Sequence, residues 1–261
     1  MILQQTDHRP WRKPATPWIM AQSWRDLLFS HWPIAIETMR ALVPPELALD
    51  TFDGSAWLGV VPFRMAGVRP RWIPPVPWIS AFPELNLRTY VRSRDAQNPK
   101  PGVYFFSLEA ANPLAVWIAR TTFKLPYFNA NMSCQDDGGW IYYRSERTHR
   151  NAPPARFVAN YRPNGEPYLA QSGTLEHWLT ERYSLYTVDE ESVYIGEIHH
   201  LPWPLQPAEA EIEVNEMASA SGMELPDAKP ILHFVRRLDV AVWQLRKLAI
   251  DKPARHGMMA M

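Results

Sequence analysis

Short runs rich in β-forming residues alternate along the chain with breaks of proline, glycine or polar residues. Runs with apolar side chains at every second position predict strands whose two faces differ. The strands predicted in this way cover residues 55–65, 84–93, 102–110, 127–135, 139–146, 156–163, 190–203 and 231–245. An Asp-Asp-Gly-Gly sequence at 136–139 predicts a tight turn between two of them.

Three segments, at 33–43, 113–123 and 174–187, show apolar side chains at helical spacing instead, and a proline begins each of the first two. The segment 68–79, VRPRWIPPVPWI, is too rich in proline to pair within a sheet, so we expect a loop over one end of it. Three helices among many strands predict an α+β fold, mainly β. In it an antiparallel sheet closes into a barrel or cone with about three flanking helices.

The distribution of prolines and the absence of repeats predict how the chain is divided. Residues 1–22 contain Pro10, Pro14 and Pro17 and are expected to form an irregular N-terminal arm. Residues 23–250 show no repeat of fixed period and no low-complexity linker, so we expect a single domain there. Residues 251–261 are expected to form a flexible C-terminal tail.

The charge balance narrows the range of partners. The 27 Lys and Arg residues match the 27 Asp and Glu residues, so no overall field attracts nucleic acid or an anionic membrane surface. No apolar stretch approaches the roughly 20 residues that span a bilayer. Charges precede any apolar run at the N-terminus, which argues against a signal peptide. We therefore expect a soluble cytoplasmic protein, and a homo-oligomer is compatible with these properties.

Several common catalytic motifs are missing from the sequence, including G-x-G-x-x-G, the Walker loop, H-E-x-x-H and G-x-S-x-G. No cofactor is therefore expected. Cys134 lies in a predicted strand with no adjacent histidine, so we expect an inert thiol. Glu197, His199 and His200 offer metal-ligand atoms, but neighbouring strand residues point to opposite faces, so no metal site is predicted.

A row of polar side chains recurs at every second position of the strand 84–93. If the row faces inward, it lines the barrel interior while Leu85 and Leu87 pack outward beneath the helices. The alternative is that the row faces solvent. The row comprises Glu84, Asn86, Arg88 and Tyr90.

A second polar set lies around the helix 113–123. Arg120 near its end and Glu109 before it can form a structural ion pair, or Arg120 can bind an acidic ligand. Lys124 is a candidate Schiff-base amine by residue type, but that role needs a pKa lowered by burial or by a neighbouring cation. A solvated surface lysine is the alternative.

Four segments occur in an order that resembles a known family. They read W-x-G-V-V-P-F-R-M from Trp57, P-E-L-N-L-R-T-Y-V from Pro83, G-V-Y-F-F-S-L from Gly102 and A-R-x-x-x-x-L-P-Y from Ala119. Over roughly residues 23–248 the chain resembles the YqjF-like family, DUF2071, a branch of the acetoacetate decarboxylase-like superfamily. The resemblance implies a β-cone that encloses a small carboxylate-binding cavity.

The resemblance also implies a departure from decarboxylase chemistry. Decarboxylases of the superfamily carry G-R-E-x-x-G-[FY]-P-K-K, in which one lysine forms the Schiff base and its neighbour depresses the pKa. Matching Arg120 and Pro126 to this motif puts Tyr127 and Phe128 at the two lysine positions. Lys124 then lies three residues too early.

Two glutamates of the decarboxylases bear on the same comparison. Glu84 resembles one of them by its place in the strand, whereas Val61 stands where the second is found, just before Pro62-Phe63-Arg64-Met65. Both the lysine pair and one carboxylate of the decarboxylase site are therefore missing.

Three functions fit these features. The first is a small-molecule-binding protein, or an enzyme of altered chemistry, whose cavity takes a small anionic organic molecule. The second is a decarboxylase or aldolase that depends on Lys124, and the third is a non-catalytic protein that binds another chain through Trp72 and Trp78. For the first, Glu84 is the candidate catalytic residue, and the candidate ligand-binding residues are Asn86, Arg88, Tyr90, Arg120 and Tyr127.

Overall fold

The computed structural model describes residues 2–76, 79–94, 99–190 and 192–248. Trp78 and the expected C-terminal tail, 251–261, lie outside these residues. The described part of the chain contains thirteen strands and three α-helices. The strands are β1 (Met20–Ile34), β2 (Leu47–Leu49), β3 (Ala56–Pro70), β4 (Phe82–Ser93), β5 (Pro101–Ala110), β6 (Tyr127–Asp137), β7 (Trp140–Arg147), β8 (Arg156–Pro163), β9 (Ser184–Asp189), β10 (Ser192–His199), β11 (Gln206–Asn215), β12 (Ile231–Val242) and β13 (Arg246–Lys247). The helices are α1 (Ile36–Leu42), α2 (Pro113–Thr122) and α3 (Leu175–Thr180).

Nine strands close a complete barrel. Their order around the ring is β5-β6-β7-β8-β11-β12-β1-β3-β4, and β4 pairs with β5 to complete it. All neighbours in this ring are antiparallel except β5 and β6. The prediction of a mainly β fold, with an antiparallel sheet closed into a barrel and three helices, is confirmed.

The sheet divides at β5 and at β12 and thereby encloses a second space. Val103 and Tyr104 of β5 pair with β9, whereas the last residues of β5 pair with β6. β10 pairs with β9 and, at Ile198 and His199, with the end of β12. A second ring of seven strands results, and β12, β1, β3, β4 and β5 form the wall that both rings share.

Both faces of this shared wall are buried. On β4, Leu85 and Leu87 join an apolar cluster with Tyr143 and Phe157 inside the nine-stranded barrel. The polar side chains that alternate with these leucines face the second space. The expectation that the leucines pack outward beneath the helices is wrong, because β6, β7 and β8 continue the sheet around them.

Five of the described strands, β1, β2, β9, β11 and β13, were not predicted from the sequence pattern, and the physical reason is clearest for β1 and β11. β1 belongs to the shared wall, and its successive residues Leu27, Leu28 and Phe29 are all buried, so the alternation of a half-buried strand is missing. In β11, glutamates alternate with small alanines, which are weak strand formers. The sequence pattern also predicts two helices that are longer than the ones in the structure. α1 starts only at Ile36, and α3 ends at Thr180, after which the chain forms β9.

The N-terminal arm packs against β10 and the segment after β12. Arg9 Nη1 donates to the carbonyl oxygen of Ile198 at 2.7 Å, and Trp243 Nε1 donates to that of Thr16 at 2.7 Å. Among the residues described, no helix combines the length and apolar character needed to cross a membrane.

A glycine is required where β9 joins β5. A Cβ atom on Gly102 would lie 2.5 Å from Ser184 Oγ and 2.7 Å from the Ser184 carbonyl oxygen. Because the backbone of β9 cannot move away without opening its pairing with β5, we expect Gly102→Ala to lower the free energy of unfolding by about 1–3 kcal/mol. Urea denaturation measures this change.

The matched control is Gly196→Ala in β10. Its added Cβ would meet only the side-chain ends of Leu185 and Leu245, at 3.0 Å or more, and these can shift. We expect a smaller loss of stability in this variant. Equal losses in the two variants would contradict the role assigned to Gly102.

Candidate functional site

A cavity of about 350 Å³ occupies the space enclosed by the seven-stranded ring. Side chains of β1, β3, β4, β5, β9, β10 and β12 form its walls, and α2, α3, the start of β6 and the loops beside these elements contribute the rest. Most lining side chains are apolar, among them Val61, Phe63, Met65, Phe105, Leu108 and Ile198. In such a site the few polar groups determine where a ligand is held and how it is oriented.

Arg88 provides a buried guanidinium in this cavity, with only 7% of the residue exposed. Its stem packs beside Gly59, and its guanidinium carbon lies 5.2 Å from the centre of the Phe29 ring. Within the described ranges, Arg88 forms no ion pair and its buried Nε has no hydrogen-bond partner. The guanidinium therefore has donors available for a bound anion.

Arg182, just after α3, is a second guanidinium on the cavity wall. Its Nη1 donates to Asp50 Oδ2 at 2.5 Å, and its Nε donates to the carbonyl oxygen of Trp178 at 2.6 Å. Its buried Nη2 has no partner among the residues that the structure describes. The sequence pattern missed Arg182 because it assigns 174–187 to one helix, and no local signal marks this arginine as part of a site.

Glu84 and Tyr127 form a hydrogen-bonded pair on the wall. Tyr127 Oη donates to Glu84 Oε2 at 3.1 Å. Burial raises the pKa of Glu84 to about 8. The hydrogen bond from Tyr127 lowers this pKa in part, and the negative charge of Glu109 raises it further. The carboxyl is therefore mostly protonated at neutral pH and can exchange a proton there. Glu109 itself is paired with Arg147 and not with Arg120.

Asn86 and Tyr90 complete the predicted row, but only Asn86 lines the cavity. Asn86 Oδ1 is buried and has no partner in the described residues. Tyr90 is fully buried, with its Oη 2.7 Å from His31 Nε2 and its ring centre 5.8 Å from the Arg88 guanidinium carbon. Tyr90 was predicted to contact the ligand, but it lies behind the cavity wall. Its ring packs near the Arg88 guanidinium instead. Burial, together with the charge of Arg88, lowers the pKa of His31 well below its ordinary value.

Arg120 and Lys124, two further sequence candidates, lie outside the cavity. Arg120 Nη1 donates to the carbonyl oxygen of Tyr127 at 2.7 Å, beside a separate depression that is more open to solvent than the cavity. Lys124 binds Asp189 at the surface, and this hydrogen bond raises the pKa of Lys124. A Schiff-base lysine needs a lowered pKa. The structure therefore disagrees with a catalytic place for Lys124 and with a ligand contact for Arg120.

The other sequence features lie away from the cavity. Burial raises the pKa of Cys134 to about 12, which makes this thiol a poor nucleophile at neutral pH. His200 stacks on Tyr183, and the described residues include no group of three or more side chains that could hold a metal ion. Trp72, on the loop before β4, is 86% exposed.

Comparison with known proteins places the chain in a family. The model of DUF2071, described as an uncharacterized conserved protein, matches residues 21–239. The chain belongs to the DUF2071 family. A relative, the uncharacterized protein YqjF of Bacillus subtilis (strain 168), is 50% identical over 230 residues, which cover 88% of this chain and 93% of YqjF.

Solved structures with a similar fold are acetoacetate decarboxylase-like. Acetoacetate decarboxylase from Legionella pneumophila matches with a TM-score of 0.58 and 11% identity, over 93% of each chain. The enduracididine biosynthesis enzyme MppR, complexed with pyruvate, matches with a TM-score of 0.59 and 11% identity, over 90% of this chain and 91% of MppR. At these identities the likeness shows the fold alone, and it confirms the fold implied by the sequence resemblance.

The raised pKa of Glu84 predicts a pH-dependent loss of stability. The folded state keeps the Glu84 proton up to about pH 8, whereas an unfolded glutamate loses it near its ordinary pKa of 4.5. Relative to Glu84→Gln, the wild type should therefore lose stability as pH rises from about 4.5 to about 8, by an amount on the order of a few kcal/mol. Urea unfolding of both proteins at pH 5, 6.5 and 8 tests this.

Glu224→Gln is the control, because Glu224 is exposed. Its difference from the wild type should stay constant over the same pH range. A Glu84→Gln difference that is equally constant would show that Glu84 ionises in the folded protein much as it does in water.

Proposed function

We propose that the cavity binds a small anionic organic molecule whose carboxylate is held by Arg88 and Arg182, with Glu84 on the adjoining wall. The observation that carries this proposal is the buried guanidinium of Arg88, which lacks an ionic partner among the described residues. An uncompensated buried charge costs several kcal/mol. A carboxylate ligand would offset this cost through charged, two-pronged hydrogen bonds.

The charge balance of the cavity supports an anion over a cation or a neutral molecule. Glu84 is mostly protonated at neutral pH because its pKa is about 8, so it supplies little negative charge to the cavity. Arg182 is paired with Asp50, whose carboxylate it shares with Arg92. The positive charge of Arg88 is left for the ligand to balance.

The relatives support the same class of ligand. MppR, whose structure contains pyruvate, shares the fold, and pyruvate is a small carboxylate. No lysine lies among the described residues that line the cavity, and Glu84 and Tyr127 are the lining residues whose side chains carry an acidic proton. We infer that any reaction proceeds by proton transfer at Glu84 and not by a Schiff base, and that simple binding uses the same residues.

Removing the Arg88 side chain should weaken the binding of carboxylates. A hydrogen bond to a charged group contributes about 1.5–3 kcal/mol, so Arg88→Ala should weaken binding about tenfold to a hundredfold. Calorimetric titration with a panel of small keto and hydroxy acids measures the effect.

Arg144→Ala serves as the control, because Arg144 is exposed on β7 and does not line the cavity. We expect this variant to bind like the wild type. Equal affinity in the wild type and Arg88→Ala, or tight binding of cations or neutral molecules only, would rule out the proposed function.

Borohydride trapping tests the competing Schiff-base chemistry. We expect no stable mass adduct after incubation with acetoacetate and borohydride, because the amine of Lys124 is paired with Asp189, its pKa is raised, and it lies outside the cavity. A reduced adduct that maps to Lys124 would support the decarboxylase or aldolase hypothesis instead.

A further inference from the structure

The cavity has a buried polar end and an open apolar end. Three of its apolar lining residues, Val76, Ile79 and Ile118, are 47%, 45% and 41% exposed and therefore form its mouth. Arg88 and Arg182 line the same cavity but are buried. The guanidinium groups thus lie at the inner end, away from solvent.

The register of β4 gives the distance between the two ends. Phe82 begins β4 just after the loop that carries Val76 and Ile79, and Arg88 lies six positions further along the strand. At about 3.3 Å per residue, these positions are roughly 20 Å apart along the strand. A ligand that contacts Arg88 and also reaches the mouth must therefore be elongated.

The wall between the two ends is mainly apolar. Phe63 and Met65 of β3 face it from one side, and Phe105 and Leu108 of β5 line it as well. Glu84 is the single carboxyl among the described lining residues, and it is mostly protonated at neutral pH. Asn86 and Tyr127 are further polar side chains on this stretch, but most of its surface is hydrocarbon and it offers fewer polar groups than a sugar or a nucleotide would need.

The volume of the cavity indicates how large that hydrocarbon surface is. A volume of about 350 Å³, at roughly 30 Å³ for each water-sized group, accommodates roughly a dozen non-hydrogen atoms. Pyruvate or acetoacetate would fill about half of this space. Such a ligand would leave the apolar wall near the mouth in contact with water, which is unfavourable.

We propose that the ligand is an amphipathic carboxylic acid with an apolar body of roughly ten carbons, bound with its carboxylate at Arg88 and Arg182 and its apolar end directed toward the mouth formed by Val76, Ile79 and Ile118. This inference rests on the proposed function, because it takes the carboxylate to be the group that Arg88 binds.

Calorimetric titration with butanoate, hexanoate, octanoate, decanoate and dodecanoate, all below their micelle concentrations, tests the inference. Each added methylene buries apolar surface in the cavity, so affinity should rise by about fourfold per methylene. The rise should level off near decanoate, whose roughly twelve non-hydrogen atoms fill the cavity volume. Decanol is included to separate recognition of the carboxylate from burial of the chain.

A variant that narrows the outer half of the cavity adds a second readout. Ala119 of α2 lines the cavity, so Ala119→Phe should weaken decanoate binding at least tenfold while leaving butanoate binding unchanged. Leu114→Phe is the matched control, because Leu114 lies on the same helix, is exposed and does not line the cavity. If Ala119→Phe does not fold, Ile118→Trp at the exposed mouth replaces it.

The outcomes separate this inference from the proposed function. Affinity that rises with chain length and is lost in Arg88→Ala supports both. Binding that depends on Arg88 but is as tight for butanoate as for decanoate overturns the amphipathic ligand and leaves the proposed function standing. Decanol binding as tightly as decanoate, with no effect of Arg88→Ala, overturns the proposed function, and so does the absence of binding by every acid.

Discussion

The wall shared by the two rings is the constraint on which the rest of the structure depends. Because β4 is buried on both faces from Glu84 to Arg88, each side chain in this stretch meets either the apolar barrel core or the cavity. If the register of β4 shifted by one residue relative to its neighbours, Arg88 would take the place of Leu87 and its guanidinium would point into the barrel core. Tyr143 helps to hold the register, since its Oη donates to the carbonyl oxygen of Glu84 at 2.7 Å. The packing of the barrel thus determines how deep Arg88 lies in the cavity.

The charges around the cavity are compensated in different ways, and the differences explain what the site can do. Glu109 is paired with Arg147, and Arg182 shares the Asp50 carboxylate with Arg92, whose Nε donates to it at 2.7 Å. Burial keeps Glu84 protonated at neutral pH. The Arg88 guanidinium lies near the rings of Phe29 and Tyr90, and cation–π contacts stabilise a cation by about 0.5–2 kcal/mol, which is less than burial costs. The cavity is therefore set up for an anion.

The sequence predicts the local features of this site better than its long-range ones. Alternation within one strand is a local signal, and it correctly put Glu84, Asn86 and Arg88 on one face of β4. The branching of the sheet at β5 depends on pairing with β6 and β9, and no local pattern records such a choice of partners. For that reason the second face of β4, the strand β1 and the position of Arg182 were all missed. Of the two roles considered for Lys124, the surface lysine is the one found, since the residue follows the end of α2 with a left-handed φ of 51° and binds Asp189.

Tyr127 shows how a site can keep its location while its chemistry changes. In the resemblance to the decarboxylase motif, this residue stands where a lysine is found, and in the structure it still lines the cavity and donates to Glu84. Burial raises the pKa of Tyr127 well above its ordinary value, so its hydroxyl remains a neutral hydrogen-bond donor at physiological pH. A neutral phenol cannot form a Schiff base with a carbonyl compound. Tyr127 can instead hold the Glu84 carboxyl in place, which leaves binding and proton transfer as the chemistry that these two residues support.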